Sequence, residues 1–193
     1  MNRHERDDLL QRARIIVTAA LAIALTVFAV PVVLAAGDDV TTPPAPTPTP
    51  RCPDGQIHDK KAGKCVPVKS SSLSDTDRYQ AVRELAYAQR YTAASLVLDA
   101  MADQLDDRVL TYRGFLMRKT GRFDQALTYY RSAIEKNPSN LLVRSYMGQG
   151  FVESGDRAAA RRQHEEILAR GGQGTWAEVS LRDALASGRT YRY

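Results

Sequence analysis

Residues 107–140 read DRVLTYRGFLMRKTGRFDQALTYYRSAIEKNPSN, and this stretch decides the fold. Leu110, Gly114 and Met117 recur at three- and four-residue spacing, the period of one helix face. Thr120-Gly121-Arg122 then turns the chain. Phe123, Ala126, Leu127, Tyr130, Ala133 and Ile134 form the apolar stripe of a second helix. Asn137-Pro138 ends it, because the residue before proline avoids the helical region. The stretch is 34 residues long and its pattern returns: Gly148 lies 34 positions beyond Gly114, and Gly155 lies 34 beyond Gly121. A fixed period of this length marks stacked helix–turn–helix units.

The unit resembles a tetratricopeptide repeat. Gly114 and Ala126 stand where that family packs its two helices closely, and Phe123, Tyr130, Ala133 and Pro138 match other signature places. Leu110 replaces the family's frequent Trp, and Arg113 departs from the usual Leu. In residues 141–174, Gly148, Phe151, Gly155 and Ala160 repeat the pattern, which departs at Arg157, His164 and Ile167; Gly171-Gly172 replaces proline as the helix stop. Upstream, Leu85, Gln89, Tyr91 and Ala94 align with Met117, Gly121, Phe123 and Ala126 at an offset of 32. Residues 75–106 therefore read as a degenerate first repeat, with Val82 at the small-residue place and Leu98 and Met101 on its second helix. Ser74 or Asp75 can cap its first helix. Thr175 can cap a final helix through Ala186, with Trp176, Val179, Leu181 and Leu185 as its apolar residues. An open solenoid end needs such a lid.

The resemblance implies an all-α protein: a right-handed α-solenoid of about three hairpins (75–106, 107–140, 141–174) with a capping helix and tail over 175–193. A generic antiparallel helix bundle is the alternative, but it leaves the two glycine pairs at one spacing unexplained.

Ahead of the repeats the composition changes. Arg3, Arg6, Arg12 and Arg14 precede an uncharged run from Ile15 to Ala36. That run is long enough to cross a bilayer, which takes about 20 apolar residues. Val33-Leu34-Ala35 and Ala35-Ala36-Gly37 also offer small residues suited to signal cleavage. Residues 1–36 are thus expected to be an anchor or a cleaved signal helix, with a buried soluble helix as the third reading. Arginine on the N-terminal flank places the chain beyond residue 37 outside the cytoplasm. Residues 37–50 carry Thr-Thr-Pro-Pro-Ala-Pro-Thr-Pro-Thr-Pro, a disordered linker of polyproline II preference that acts as a spacer. Residues 51–68 hold the chain's two cysteines, Cys52 and Cys65. In an oxidising compartment these pair by default, with Pro53-Asp54-Gly55 and Ala62-Gly63 turning the loop into a small hairpin. Metal binding by Cys52, His58 and Cys65 is the sharper alternative, though three ligands at odd spacing are too few. The Cys-Pro-x-Gly…Cys-Val pattern resembles short cystine loops of bacterial envelope proteins. Residues 69–74, with Ser70-Ser71-Ser72, read as a second linker. The export signal and cystine loop together suggest the periplasmic side of a bacterial inner membrane.

The net charge of +5 is mild and the arginines are scattered among acids, which argues against nucleic acid as a partner. No P-loop, dinucleotide fingerprint, zinc-protease or serine-hydrolase motif occurs. Gly171-Gly172-Gln173-Gly174 follows a helix rather than a strand and reads as a joint. Asp106-Asp107 and Glu165-Glu166 are helix neighbours, which do not face one another. No enzyme, cofactor or metal is expected.

In the family this chain resembles, the first helix of each unit lines an inner groove for a partner peptide or helix. The resemblance places Tyr79, Arg83, Tyr87, Arg108, Tyr112, Phe115, Arg118, Lys119, Tyr146 and Gln149 in that groove. Tyrosines and arginines suit protein contact, and the cations favour an acidic or carboxylate-bearing ligand. The Asn-based clamp for chaperone tails is not matched, since Tyr112, Phe115 and Gln149 occupy its places. Two further functions stand beside partner binding: self-association through the repeats, and an enzymatic or glycan-binding role of the cystine loop.

Overall fold

Asp106 and Asn140 open equivalent helices one repeat apart, and each does so with its own side chain. The Asp106 carboxylate accepts from Arg108 N at 2.8 Å, and the Asn140 amide oxygen accepts from Val143 N at 3.0 Å. Such caps satisfy the orphan donors of a first turn. The computed structural model describes residues 51–191. The apolar run 15–36 and the Pro/Thr segment lie outside the described residues.

Seven described helices come after a small sheet. They are α1 (Asp75–Tyr87), α2 (Tyr91–Leu98), α3 (Asp107–Lys119), α4 (Phe123–Lys136), α5 (Leu141–Glu153), α6 (Arg157–Ala169) and α7 (Trp176–Ser187). They form three successive helix pairs and a closing helix, and the first helices α1, α3, α5 and α7 are neighbours in chain order. This is the arrangement of an α-solenoid. Ser74 caps α1 in a full capping box with Asp77, and Thr175 caps α7. Asn137 ends α4, as its position before Pro138 requires.

The two glycine pairs have different physical reasons. Gly114 packs against Tyr130: an added Cβ would lie 2.5 Å from Tyr130 Cδ1, where no real Cβ sits. Gly148 meets Leu181 of α7 in the same way, at 2.5 Å. Gly121 (φ 80°) and Gly155 (φ 86°) meet nothing, but both take the left-handed conformation that reverses the chain between paired helices. A third close approach was hidden in the sequence: Gly150 lies under the ring of Phe123, which also stands edge-on to Phe151 at 5.4 Å. That contact joins α4 to α5, one repeat to the next.

The first unit departs from expectation in one respect. Leu98 is the last residue of α2, so Met101 lies beyond the helix, although it is buried. The reason is local competition for backbone groups. Gln104 Nε2 donates to Leu98 O at 3.0 Å and to Met101 O at 2.6 Å, and Asp75 accepts from Ala102 N at 2.9 Å. These bonds occupy groups that a longer helix would have paired.

The cystine loop adds β-structure to the helical fold. β1 (Gln56–Asp59) pairs antiparallel with β2 (Lys64–Pro67), with His58 opposite Cys65. Asp59 closes the turn by accepting from Lys61 N at 2.9 Å and Ala62 N at 3.0 Å. The Cys52–Cys65 disulfide is formed, so neither sulfur is a thiolate metal ligand. A two-stranded hairpin is marginal alone. This one buries Ile57, Val66 and Val68 in the same apolar core as Tyr79 and Val82 of α1. Each buried side chain of this size contributes on the order of 1.5–3 kcal/mol. Arg78 of α1 then ties down residues 69–74, donating to Val68 O at 2.8 Å, Ser70 O at 2.9 Å and Leu73 O at 3.1 Å. Arg90 reaches Cys52 O at 2.9 Å and Asp54 at 2.6 Å.

At the other end α7 lies along α5 and α6. Its inward face carries Ala177, Glu178, Ser180, Leu181 and Ala184, while Trp176, Val179 and Leu185 are half-buried. The apolar residues singled out in the sequence therefore form only part of the contact. Ser180 Oγ and Ser145 Oγ bond at 2.9 Å, and Glu178 bonds His164 at 3.0 Å. Among the described residues no helix is long and apolar enough to cross a membrane.

Candidate functional site

The neighbouring first helices bring the predicted aromatic residues into one row. Tyr79 of α1 stands edge-on to Tyr112 of α3 at 5.7 Å, and Tyr112 stands edge-on to Tyr146 of α5 at 6.1 Å. Phe115 fills the space between, 4.9 Å from Tyr146 and 6.0 Å from Tyr87. The edge-to-face arrangements match the quadrupoles of the rings. Tyr87 ties the row together, since its hydroxyl bonds Tyr112 at 2.9 Å and also bonds Tyr146. All five rings are buried. Burial pushes the Tyr112 hydroxyl well above its ordinary range. Burial likewise raises Tyr87, against the opposing effect of its two hydroxyl partners. The Tyr87 and Tyr112 hydroxyls are therefore neutral at physiological pH.

Cations lie on the faces of these rings. Arg108 sits 5.2 Å and Arg83 6.0 Å from the Tyr79 centroid. Arg118 lies 5.5 Å from Phe115 and 5.9 Å from Tyr146, and Lys119 lies 5.7 Å from Phe115. Desolvated contacts of this type are worth about 2 kcal/mol, exposed ones less. Arg108 also grips its own cap residue Asp106 through two bonds of 2.8 and 3.0 Å. Arg118 bonds Glu153 of α5 at 2.7 Å, leaving its Nε and Nη2 buried without a hydrogen-bond partner. Burial acts to lower the Arg118 pKa, but Tyr130 and Glu153 outweigh it and the net direction is up. The guanidinium is charged throughout.

The ten residues expected in the groove are thus brought together, with different exposures. Arg108 and Lys119 are partly open; Tyr79, Arg83, Tyr87, Tyr112, Phe115, Arg118, Tyr146 and Gln149 are buried. Gln149 turns toward α7, where its amide donates to Ser145 Oγ at 3.2 Å and Ser180 Oγ at 3.3 Å.

Four residues at this site were not read from the sequence: Glu153, Asp183, Thr190 and Tyr191. Glu153, Asp183, Thr190 and Tyr191 line a recess with Lys119, Ser187 and Arg189 at the C-terminal ends of α3, α5 and α7. Glu153 was legible in principle, being 34 residues beyond Lys119 on the repeat frame. The tail carried no signal, because no periodicity extends past α7.

Chemically the site offers rings, cations and the carboxylates of Glu153 and Asp183, with no nucleophile–base pair. Among the described residues no group of three His, Cys, Asp or Glu side chains could hold a metal ion. Stacked helix pairs with an aromatic first-helix row define a helical-repeat protein. The family model of the tetratricopeptide repeat matches residues 107–140, the unit from which the repeat frame was built. That repeat is typically a non-catalytic module for protein–protein interaction. No curated protein and no solved structure matches the chain.

Proposed function

We propose that the chain is a non-catalytic interaction module of the bacterial cell envelope, holding a protein segment along its first-helix face. The observation that carries this reading is the first-helix face itself: a buried row from Tyr79 to Tyr146 fixes the helices side by side, and Arg108 and Lys119 stand partly open at its edge. Accessible cations held over a rigid foundation present charged donors to a partner with little entropy to lose. The same cations favour a partner segment that bears carboxylates. Both ends of the stack are closed, which supports binding along the face over end-to-end stacking of copies.

The address rests on other features. A disulfide persists in an oxidising compartment. The apolar run 15–36 supplies an anchor or export signal, and the prolines of 41–50 supply a spacer on the order of 30 Å long. Anchored at the periplasmic side of the inner membrane, the module raises a client's concentration there.

The test is cross-linking in intact cells with the wild-type chain, Lys119→Glu and Arg108→Glu. Each reversal is expected to lower capture of the main partner about tenfold. Unchanged capture by both variants would remove the groove assignment. Recovery of residues 51–191 in the cytoplasm with reduced cysteines would remove the address.

A further inference from the structure

The last described residues do not trail away from the fold. Gly188 takes the left-handed conformation (φ 70°) just past α7 and reverses the chain. Ser187 secures the reversal: its hydroxyl donates to Asp183 O at 2.7 Å and accepts from Arg189 N at 3.2 Å. The chain then crosses the ends of three first helices. Thr190 Oγ1 donates to Glu153 of α5 at 2.5 Å, and Lys119 of α3 donates to Tyr191 O at 2.9 Å. The Tyr191 ring stands edge-on to Trp176 at 4.7 Å, and its hydroxyl donates to Asp183 at 3.3 Å. Two of these contacts fall on a corner of the partner face, because Glu153 also holds Arg118 and Lys119 lies over Phe115.

We propose that the C-terminal tail is a self-ligand: it occupies the Lys119–Glu153 corner in cis, and a partner segment must displace it. This rests on the partner-face reading and adds a competitor to it. The tail also describes what fits the corner. An extended strand docks there by a backbone carbonyl toward Lys119, a hydroxyl toward Glu153 and an aromatic ring against Trp176. A partner segment with a hydroxyl residue followed by an aromatic one reproduces all three contacts. The contacts are few and surface-exposed, so each is weak and the tail is displaceable.

Trp176 is the chain's single tryptophan, so its emission reports the tail directly. The experiment compares the full chain in detergent with the same chain ending at Gly188. The probe is the synthetic peptide Ser-Gly-Arg-Thr-Tyr-Arg-Tyr, with a scrambled control. Removing the tail is expected to shift Trp176 emission to the red, and saturating peptide to reverse the shift. Labelled peptide is expected to bind the shortened chain at least about tenfold more tightly than the full chain, since a tethered competitor acts at millimolar effective concentration. Glu153→Ala in the shortened chain is expected to weaken peptide binding about fivefold, by loss of one charge-assisted bond. Tyr191→Ala in the full chain keeps its length and is expected to give the red shift by itself. Identical emission from full and shortened chains, or equal peptide affinity for both, overturns the proposal. Emission that shifts on dilution assigns the tail to a second copy and overturns docking in cis. Failure of the partner-face reading is separate: the peptide would still discriminate the two chains while Lys119→Glu left capture in cells unchanged.

Discussion

The two ends of the helix stack are closed by different chemistry. At the N-terminal end a disulfide-linked hairpin lays Ile57, Val66 and Val68 on α1, and Arg78 and Arg90 hold its backbone carbonyls. At the C-terminal end α7 offers small and polar residues: Ser180 to Ser145, and Glu178 to His164, Gly174 N and Arg182. Both lids cover the exposed side of a helix pair, as solenoid ends require. One does so with apolar area and a covalent bond, the other with buried hydrogen bonds. The first should answer to reductant, and the second should not.

The largest expected effect tests the first half of that contrast. Replacing Cys52 and Cys65 together by Ser frees a short loop in the unfolded chain. In the chain-entropy account this costs about 3 kcal/mol. Chemical denaturation of the full chain should show this loss, and dithiothreitol should lower the wild type to the same value. Hydrogen exchange should rise first in residues 56–67 and α1, with α7 unaffected. Equal loosening at both ends would break the distinction.

The middle of the stack provides a control that belongs to neither lid. Burial pushes the Tyr130 hydroxyl up to about 12, opposed by the Arg118 charge. A folded-state value above the ordinary 10 means stability that is fully present below pH 10 and lost as pH rises through about 12. Integrated over that window the loss is about 2–3 kcal/mol. Helical circular dichroism against pH should show it. The Tyr130 hydroxyl faces the buried Arg118 guanidinium, so Tyr130→Phe should cost about 1–2 kcal/mol at neutral pH and shrink the alkaline loss.

Acid should act on the C-terminal lid. Burial alone would raise the Glu178 carboxyl, but the bonds from His164 and Gly174 N and the charge of Arg182 outweigh it, and the pKa falls below its ordinary 4.5. A depressed carboxylate contributes stability above pH 4.5 that disappears as pH drops through the folded-state value. Glu178→Gln keeps the shape and removes the charge. It should cost about 1–2 kcal/mol at pH 7 and flatten the acid limb. Hydrogen exchange in α7 follows the lid directly. An acid limb unchanged in the variant would place the sensitivity elsewhere.

What could be read from residues alone was what local rules control. The left-handed glycines at 121 and 155, the stop before Pro138 and the caps Ser74 and Thr175 act within a few residues, so spacing exposes them. The aromatic row was reached through the repeat frame, because equal places on successive first helices become neighbours. So was Gln149, but its bonds to Ser145 and Ser180 were not, since apolar periodicity does not mark buried hydroxyls. Gly150 was missed because its partner, Phe123, lies in the preceding repeat, and the tail was missed because its contacts span 37 and 72 residues.

The smallest expected effect joins the N-terminal lid to the repeat frame. Gln89 stands where the later repeats have Gly121 and Gly155, and it takes the same left-handed conformation at φ 60°. That conformation costs a non-glycine residue about 1–2 kcal/mol, while glycine's unfolded-state entropy returns about 0.5–1 kcal/mol. Gln89→Gly should therefore stabilise the chain by about 0.5–1 kcal/mol. The reciprocal Gly121→Gln should destabilise it by about as much, since a side chain there meets no neighbour and only the dihedral objects. The next residue, Arg90, holds Cys52 O and Asp54, so the hairpin lid grips this turn. If that grip keeps Gln89 in its strained state, the gain from Gln89→Gly must change once the disulfide is broken. A thermal-denaturation cycle of Gln89→Gly with the Cys52→Ser, Cys65→Ser chain should then show coupling above about 0.5 kcal/mol, the range in which distant sites add. Strict additivity would mean that the lid covers the first repeat without holding its turn, and the two ends would differ in chemistry but not in mechanical reach.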